Sequence, residues 1–258
     1  MKPTTRIAEA KTPGGSEMVL FQHDESFFIR VDGEILMHSR QHESELALAR
    51  LGCAHLADAP APAVLIGGLG LGYTLRQCLD MVSPKASVTL CELMPAVIEW
   101  NRDYLGLLAG FPLSEKRVRV KQADVVQTLA RNRGAFDAIL LDVDNGPSAM
   151  TDAGNSRLYG RQGIEHCCRA LKPRGCLAVW SAEPSKPYEQ ALVRAGLAVR
   201  RYRAPAYKGA KAESRFIWVA SQDAAQLPPG GGEPKPPPRK RRRQGSRNGR
   251  STRPFSGR

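Results

Sequence analysis

From Val64 onward the chain alternates short apolar runs of strand length with stretches of helical period. The runs are Val64–Gly67, Ser87–Glu92, Arg117–Gln122, Phe136–Asp142 and Cys176–Ser181. Between them the spacing predicts helices over Thr74–Met81, Pro95–Tyr104, Val125–Arg131 and Arg157–Leu171, and a further one over Pro187–Ala195. Strands separated by helices of this length predict a doubly wound, mostly parallel α/β sheet covered on both faces. Ala198–Tyr202 and Arg215–Ala220 have no helix between them, which predicts an antiparallel hairpin at one edge.

Upstream, the pattern is shorter and β-like over Met18–Phe21, Ser26–Val31 and Glu34–Met37, with Asp32-Gly33 as a hairpin turn. A helix is expected from Glu43 or Ser44 to about Leu56, burying Leu46, Leu48, Leu51 and Leu56, and Ala59-Pro60-Ala61-Pro62 stops it. The expected organisation is a flexible N-terminus (1–16), a small β-hairpin and helix unit (17–58), a main α/β domain (59–222) and a tail (223–258).

Composition changes this picture at the C-terminal end. From Asp223 onward Pro, Gly, Ser and Arg dominate, large apolar side chains are scarce, and the segment is expected to be disordered. It holds ten of the 38 Lys and Arg but two of the 25 Asp and Glu, so the formal charge of +13 is concentrated there. Arg239-Lys240-Arg241-Arg242-Arg243 reads either as a solvated tail or as a phosphate-binding arm for nucleic acid. The six cysteines lack metal-binding spacing and read as reduced, buried thiols, so no metal is expected. The N-terminus lacks the apolar core of a signal peptide, and no run approaches the ~20 apolar residues of a membrane span. A soluble, cytoplasmic protein is expected, without a membrane partner.

Ligands of open parallel sheets bind beyond the carboxyl ends of the strands, near the point where strand order reverses. There the first run breaks into Gly68-Leu69-Gly70-Leu71-Gly72, where a backbone without Cβ atoms lets a ligand approach its N–H groups. The following strands end in Glu92, Asp124, Asp142 with Asp144, and Glu183. Glu92 lies 20 residues after Gly72, the spacing at which an acid reaches a ribose. Asp142 closes an apolar strand that would hold it rigidly on the pocket floor. Asp124 reads equally as a helix N-cap, and Glu183 as an ordinary loop carboxylate.

Together these features resemble class I AdoMet-dependent transferases with a Rossmann-like sheet. Within them, Val31–Ala220 is most similar to the spermidine synthases, the polyamine aminopropyltransferases. The family's G-G-G-D-G-G-T-L-R resembles Gly68 to Arg76, its ribose-binding acid resembles Glu92, and its adenine-side acid falls on Asp124. Its Y-D-x-I-x-x-D-S-S-D-P-x-G-P-A resembles Phe136 to Pro147. The resemblance implies Asp142 as the catalytic acid–base group and Gly68, Gly70, Gly72, Glu92, Asp124 and Gln41 on the donor side. Asp144, Asn145 and Glu183 are then on the side of a cationic acceptor such as a polyamine. It also implies aminopropyl transfer from decarboxylated S-adenosylmethionine, in a chain that forms a homodimer. Leu71 stands where the family has the acid that holds the donor's amine, which leaves methyl transfer from intact S-adenosylmethionine as the alternative. The family's Y-H-E becomes Glu43-Ser44-Glu45. A third reading, from another class, is a non-catalytic nucleic-acid-associated protein acting through the tail.

Overall fold

The computed structural model describes residues 3–143, 146–149 and 157–234. Among them, β1 (Thr5–Lys11), β2 (Glu17–His23), β3 (Ser26–Val31) and β4 (Glu34–His38) form an antiparallel sheet in chain order. β1 lies in the stretch expected to be flexible. Ile7, Ala8 and Ala10 are too few to mark a strand, but pairing along β2 supplies the hydrogen bonds and places all three against the core. At the β3–β4 turn Asp32 and Gly33 both take left-handed backbone angles (φ 47° and 87°), as a two-residue hairpin requires.

The second sheet has seven strands: β5 (Ala63–Gly67), β6 (Ser87–Glu92), β7 (Val118–Gln122), β8 (Phe136–Leu141), β9 (Leu171–Ser181), β10 (Ala198–Ala204) and β11 (Arg215–Ser221). Their order is β10-β11-β9-β8-β5-β6-β7, with β5 to β9 parallel and β11 antiparallel to both its neighbours. The expected mostly parallel sheet and closing hairpin are both present. β11 slots between β9 and β10, so β10 is the edge. The helices are α1 (Glu43–Cys53), α2 (Tyr73–Met81), α3 (Pro95–Trp100), α4 (Val125–Arg131), α5 (Arg161–Ala170) and α6 (Lys186–Arg194). Successive strand residues feed two apolar cores: Val64 and Ile66 of β5 point to one, Leu65 to the other. Burial on both faces is why these strands read as continuous apolar runs.

Three boundaries differ from the sequence pattern. α1 buries Ser44, Leu48, Ala49, Gly52 and Cys53, while Leu46 and Leu51 are half-buried. Gly52 sets this rotation, because a Cβ there would lie 2.2 Å from Leu140 Cδ2 and 2.8 Å from Ala178 Cβ. β9 begins at Leu171, five residues early, and a register shift opposite Phe136 and Ala138 absorbs the Lys172–Gly175 stretch. The tail also starts later than expected. Tyr202 Oη and an Arg200 guanidinium N–H donate to Pro228 O at 2.5 and 2.6 Å, and Gly232 exchanges backbone hydrogen bonds with Arg201. The segment to Gly232 thus covers part of the β10 edge, which would otherwise offer unpaired backbone groups. Arg239–Arg243 lie outside the described residues. Among the described residues no helix is long and apolar enough to cross a membrane.

Candidate active site

Strand order reverses beside β5, so the glycine turn that follows β5 sits at the switch point. Neighbouring strands pin it: Gly68 N–H donates to Cys91 O at 2.9 Å, and Asp142 N–H donates to Gly67 O at 2.8 Å. Gly68 has φ 92°, and a Cβ there would lie 2.1 Å from Asp142 O, so the position excludes every side chain. Gly70 and Gly72 are also left-handed (φ 53° and 88°), and Gly72 leads directly into α2. Asn101, which no sequence motif marks, holds the turn from the far side. Its amide donates to Gly70 O and Val97 O, both at 2.9 Å. It opens a wider π-helical turn, Asn101–Leu105, where a continuous helix was expected.

Glu92 is buried at the end of β6, and its two carboxylate oxygens accept from Leu69 N and Met94 N, each at 2.8 Å. One carboxylate therefore ties the glycine turn to the β6–α3 loop. Asp124 ends the next strand and caps α4, accepting from Val126 N at 2.8 Å, with the Arg157 guanidinium 4.0 Å away. Gln41 is exposed in the β4–α1 connection, where its backbone N–H turns back to His38 O. That connection lies over the site. Tyr73 Oη donates to Ser39 O at 3.1 Å, the His42 ring stacks on Tyr73 at 4.2 Å, and Met37 Sδ lies 3.9 Å from where a Gly70 Cβ would be. Glu183 is exposed in the loop after β9, where its backbone carbonyl accepts from Ser181 Oγ at 2.7 Å. Asp144 and Asn145 lie outside the described residues.

Asp142 follows β8 directly, and its Oδ2 accepts from Thr74 Oγ1 at 2.7 Å. Burial pushes its pKa up to about 6, with the Thr74 hydrogen bond offsetting part of the rise. Glu45, on α1, approaches from above: Thr74 Oγ1 lies 3.4 Å from its carbonyl oxygen. Burial and then the neighbouring Asp142 charge raise the Glu45 carboxyl well above the usual range. Burial and then Glu45 push the Tyr73 hydroxyl up to about 12. A carboxylate that titrates near neutral pH on a rigid strand end can accept a proton from an amine at physiological pH. The cysteines are free, and five of the six are buried. No group of three His, Cys, Asp or Glu among the described residues is placed to hold a metal.

A glycine turn at the reversal of a 7-stranded sheet, with acids at the ends of the flanking strands, defines a nucleoside-binding α/β protein of the class I methyltransferase-like type. The spermine/spermidine synthase domain model matches residues 47–195, more than half of the chain, and the chain belongs to that family. It is 30% identical over 124 residues to a polyamine aminopropyltransferase of Prochlorococcus marinus (strain NATL1A), covering 47% of this chain and 40% of that protein. It is 31% identical over 173 residues to polyamine aminopropyltransferase 1 of Streptomyces coelicolor, covering 66% and 29%. The chain spans under half the length of these curated relatives. Its fold is similar to that of a spermidine synthase solved in complex with the transition state analogue AdoDATO (TM-score 0.68, 20% identity, 87% of this chain and 77% of that one). The Thermotoga maritima spermidine synthase is comparably similar (TM-score 0.67, 18% identity, 87% and 75%).

Proposed function

We propose that this protein transfers an aminopropyl group from decarboxylated S-adenosylmethionine to a di- or polyamine in the cytoplasm. The observation that carries this reading, beside the family, is Asp142: a carboxylate raised to about 6, at the end of β8 and in backbone contact with the glycine turn. The donor's nucleoside lies along Gly68–Gly72, with its ribose on Glu92 and its adenine near Asp124. The acceptor amine attacks the carbon beside the sulfonium, the carbon–sulfur bond breaks, and the sulfur leaves as a neutral thioether. Asp142 takes the proton that the attacking nitrogen sheds. Acid–base assistance of this kind contributes ~10²–10⁴ in rate. Purified protein supplied with decarboxylated S-adenosylmethionine and putrescine or spermidine should form the extended polyamine, detected by mass spectrometry. Asp142→Asn should reduce its rate by about that factor. Absence of product, with donor binding no better than background, would overturn the reading.

Leu71 favours a second reading, methyl transfer from intact S-adenosylmethionine, because an apolar residue 1% exposed occupies the middle of the turn. Calorimetry with both donors separates the two by which binds more tightly. The basic run Arg239–Arg243 supports RNA binding alongside either activity, tested by removing residues 235–258 and measuring RNA retention at two salt concentrations. A homodimer is the proposed assembly, and light scattering of the full chain tests it.

A further inference from the structure

Two carboxyl groups meet at this site without the positive charge to match them. Asp142 has one side-chain donor, the Thr74 hydroxyl at 2.7 Å. Glu45 Oε2 is buried and has no hydrogen-bond partner among the described residues. The two acids are close enough for their charges to oppose each other. The groups facing them are Tyr73 and Thr74 of α2, with His42 stacked on the outer face of Tyr73. No lysine or arginine among the described residues offsets either charge. The segment from Val143 to Ser156 contains no Lys, Arg or His, so that loop cannot bring a cation in.

An unpaired buried carboxylate is costly, and a protein that keeps one beside a second leaves a place for a cation. The acceptors around it suit a primary ammonium, whose three N–H donors match two carboxylates and a third oxygen such as the Glu45 carbonyl. Glu45 precedes the region that matches the family, which begins at residue 47. We propose that Glu45, together with Asp142, forms a receptor for a primary ammonium group of the bound ligand and thereby selects against a ligand chain that also carries a carboxylate. This inference rests on the aminopropyl-transfer reading, in which both donor and acceptor present such an ammonium. In the free protein the pair holds a proton, which is released to solvent when the ammonium enters.

Calorimetry on the full chain, wild type and Glu45→Gln, tests this with decarboxylated S-adenosylmethionine, intact S-adenosylmethionine, methylthioadenosine and putrescine. The wild type should bind the decarboxylated donor about tenfold or more tightly than the intact one. Glu45→Gln should weaken the ammonium-bearing ligand about tenfold and leave methylthioadenosine, which has no ammonium, within about twofold. If the loss falls on the donor, the pair receives the donor's ammonium; if it falls on putrescine, the acceptor's. Repeating the titration in buffers of different ionisation heat should show proton release in the wild type and less in the variant. The thermal midpoint of Glu45→Gln should not fall, since an uncompensated charge is removed at equal size. A loss shared by methylthioadenosine with a lowered midpoint would make Glu45 structural and overturn the proposal. If the wild type prefers the decarboxylated donor and Glu45→Gln keeps both that preference and full affinity for putrescine, the Glu45 role fails alone. If the wild type prefers the intact donor, the aminopropyl reading fails with it.

Discussion

Asp142→Asn should make the fold more stable as it removes transfer. Folding raises the Asp142 carboxyl from its ordinary 3.8 to about 6. A rise of about 2 units at ~1.4 kcal/mol each is a penalty of about 3 kcal/mol on the ionised native state. The amide keeps an oxygen to accept from Thr74 Oγ1 and adds an N–H₂ group whose burial returns about 1 kcal/mol of cost. The net gain expected at pH 8 is about 2 kcal/mol. Its pH dependence follows from the direction of the shift. Below 3.8 the acid is protonated both folded and unfolded, and contributes nothing. Between 3.8 and about 6 the unfolded chain loses its proton first, so wild-type stability falls as pH rises. Above 6 the penalty is complete and constant. Urea unfolding of both proteins at pH 5, 6.5 and 8 should therefore show the variant's advantage growing across the series. An advantage independent of pH, or a variant weaker than wild type at pH 8, would refute the burial argument. Glu45→Gln combined with Asp142→Asn should gain less than the two single changes added together, because each relieves the same repulsion.

Other residues make separable predictions. Gly68→Ala forces a left-handed alanine into the Asp142 carbonyl and should destabilise the protein by about 2–4 kcal/mol, with donor binding lost in calorimetry. Asn101→Ala removes the hydrogen bond to Gly70 O and should weaken donor binding about fivefold to tenfold, with a smaller change in thermal midpoint. Gly52→Ala meets Leu140 and Ala178 and should cost about 1–3 kcal/mol in urea unfolding, while a folded sample keeps wild-type donor affinity. Asp124→Ala removes the α4 cap and should lower stability by about 1 kcal/mol.

What was readable before the structure follows from how each element is buried. β5, β6 and β8 are covered on both faces, so they appear as unbroken apolar runs, and the glycine or acid ending each run is conspicuous. The placement of Glu92 and Asp142 then follows from parallel topology alone. β1 was hidden because its stability comes from pairing with β2, and its three apolar residues lie among charged ones. α1 was found with the wrong face inward, because four leucines outweigh one glycine in a period count but the glycine decides how closely the helix can approach the sheet. Asn101 was missed because its reach to Gly70 depends on a widened helical turn with no residue signature. Glu45 was hidden differently: an acid in the first turn of a helix is ordinary, since it complements the helix dipole. Only its burial beside Asp142 sets it apart.

The two halves of the site differ in how they are held, and the difference bears on how affinity divides. On the nucleoside side the Gly67–Gly72 backbone is fixed by Cys91 O, the Glu92 carboxylate, the Asn101 amide and the Asp142 N–H. Freely rotating glycines lose more entropy on ordering than other residues, and these bonds meet that cost before any ligand arrives. The ammonium side is the reverse: Glu45 and Asp142 are ordered but uncompensated, and their repulsion is relieved only by a cation. A ligand with the nucleoside alone should therefore bind by complementarity, with little effect on stability. One that adds an ammonium should raise the thermal midpoint by more than its extra contacts explain, because it also removes a strain present in the free protein.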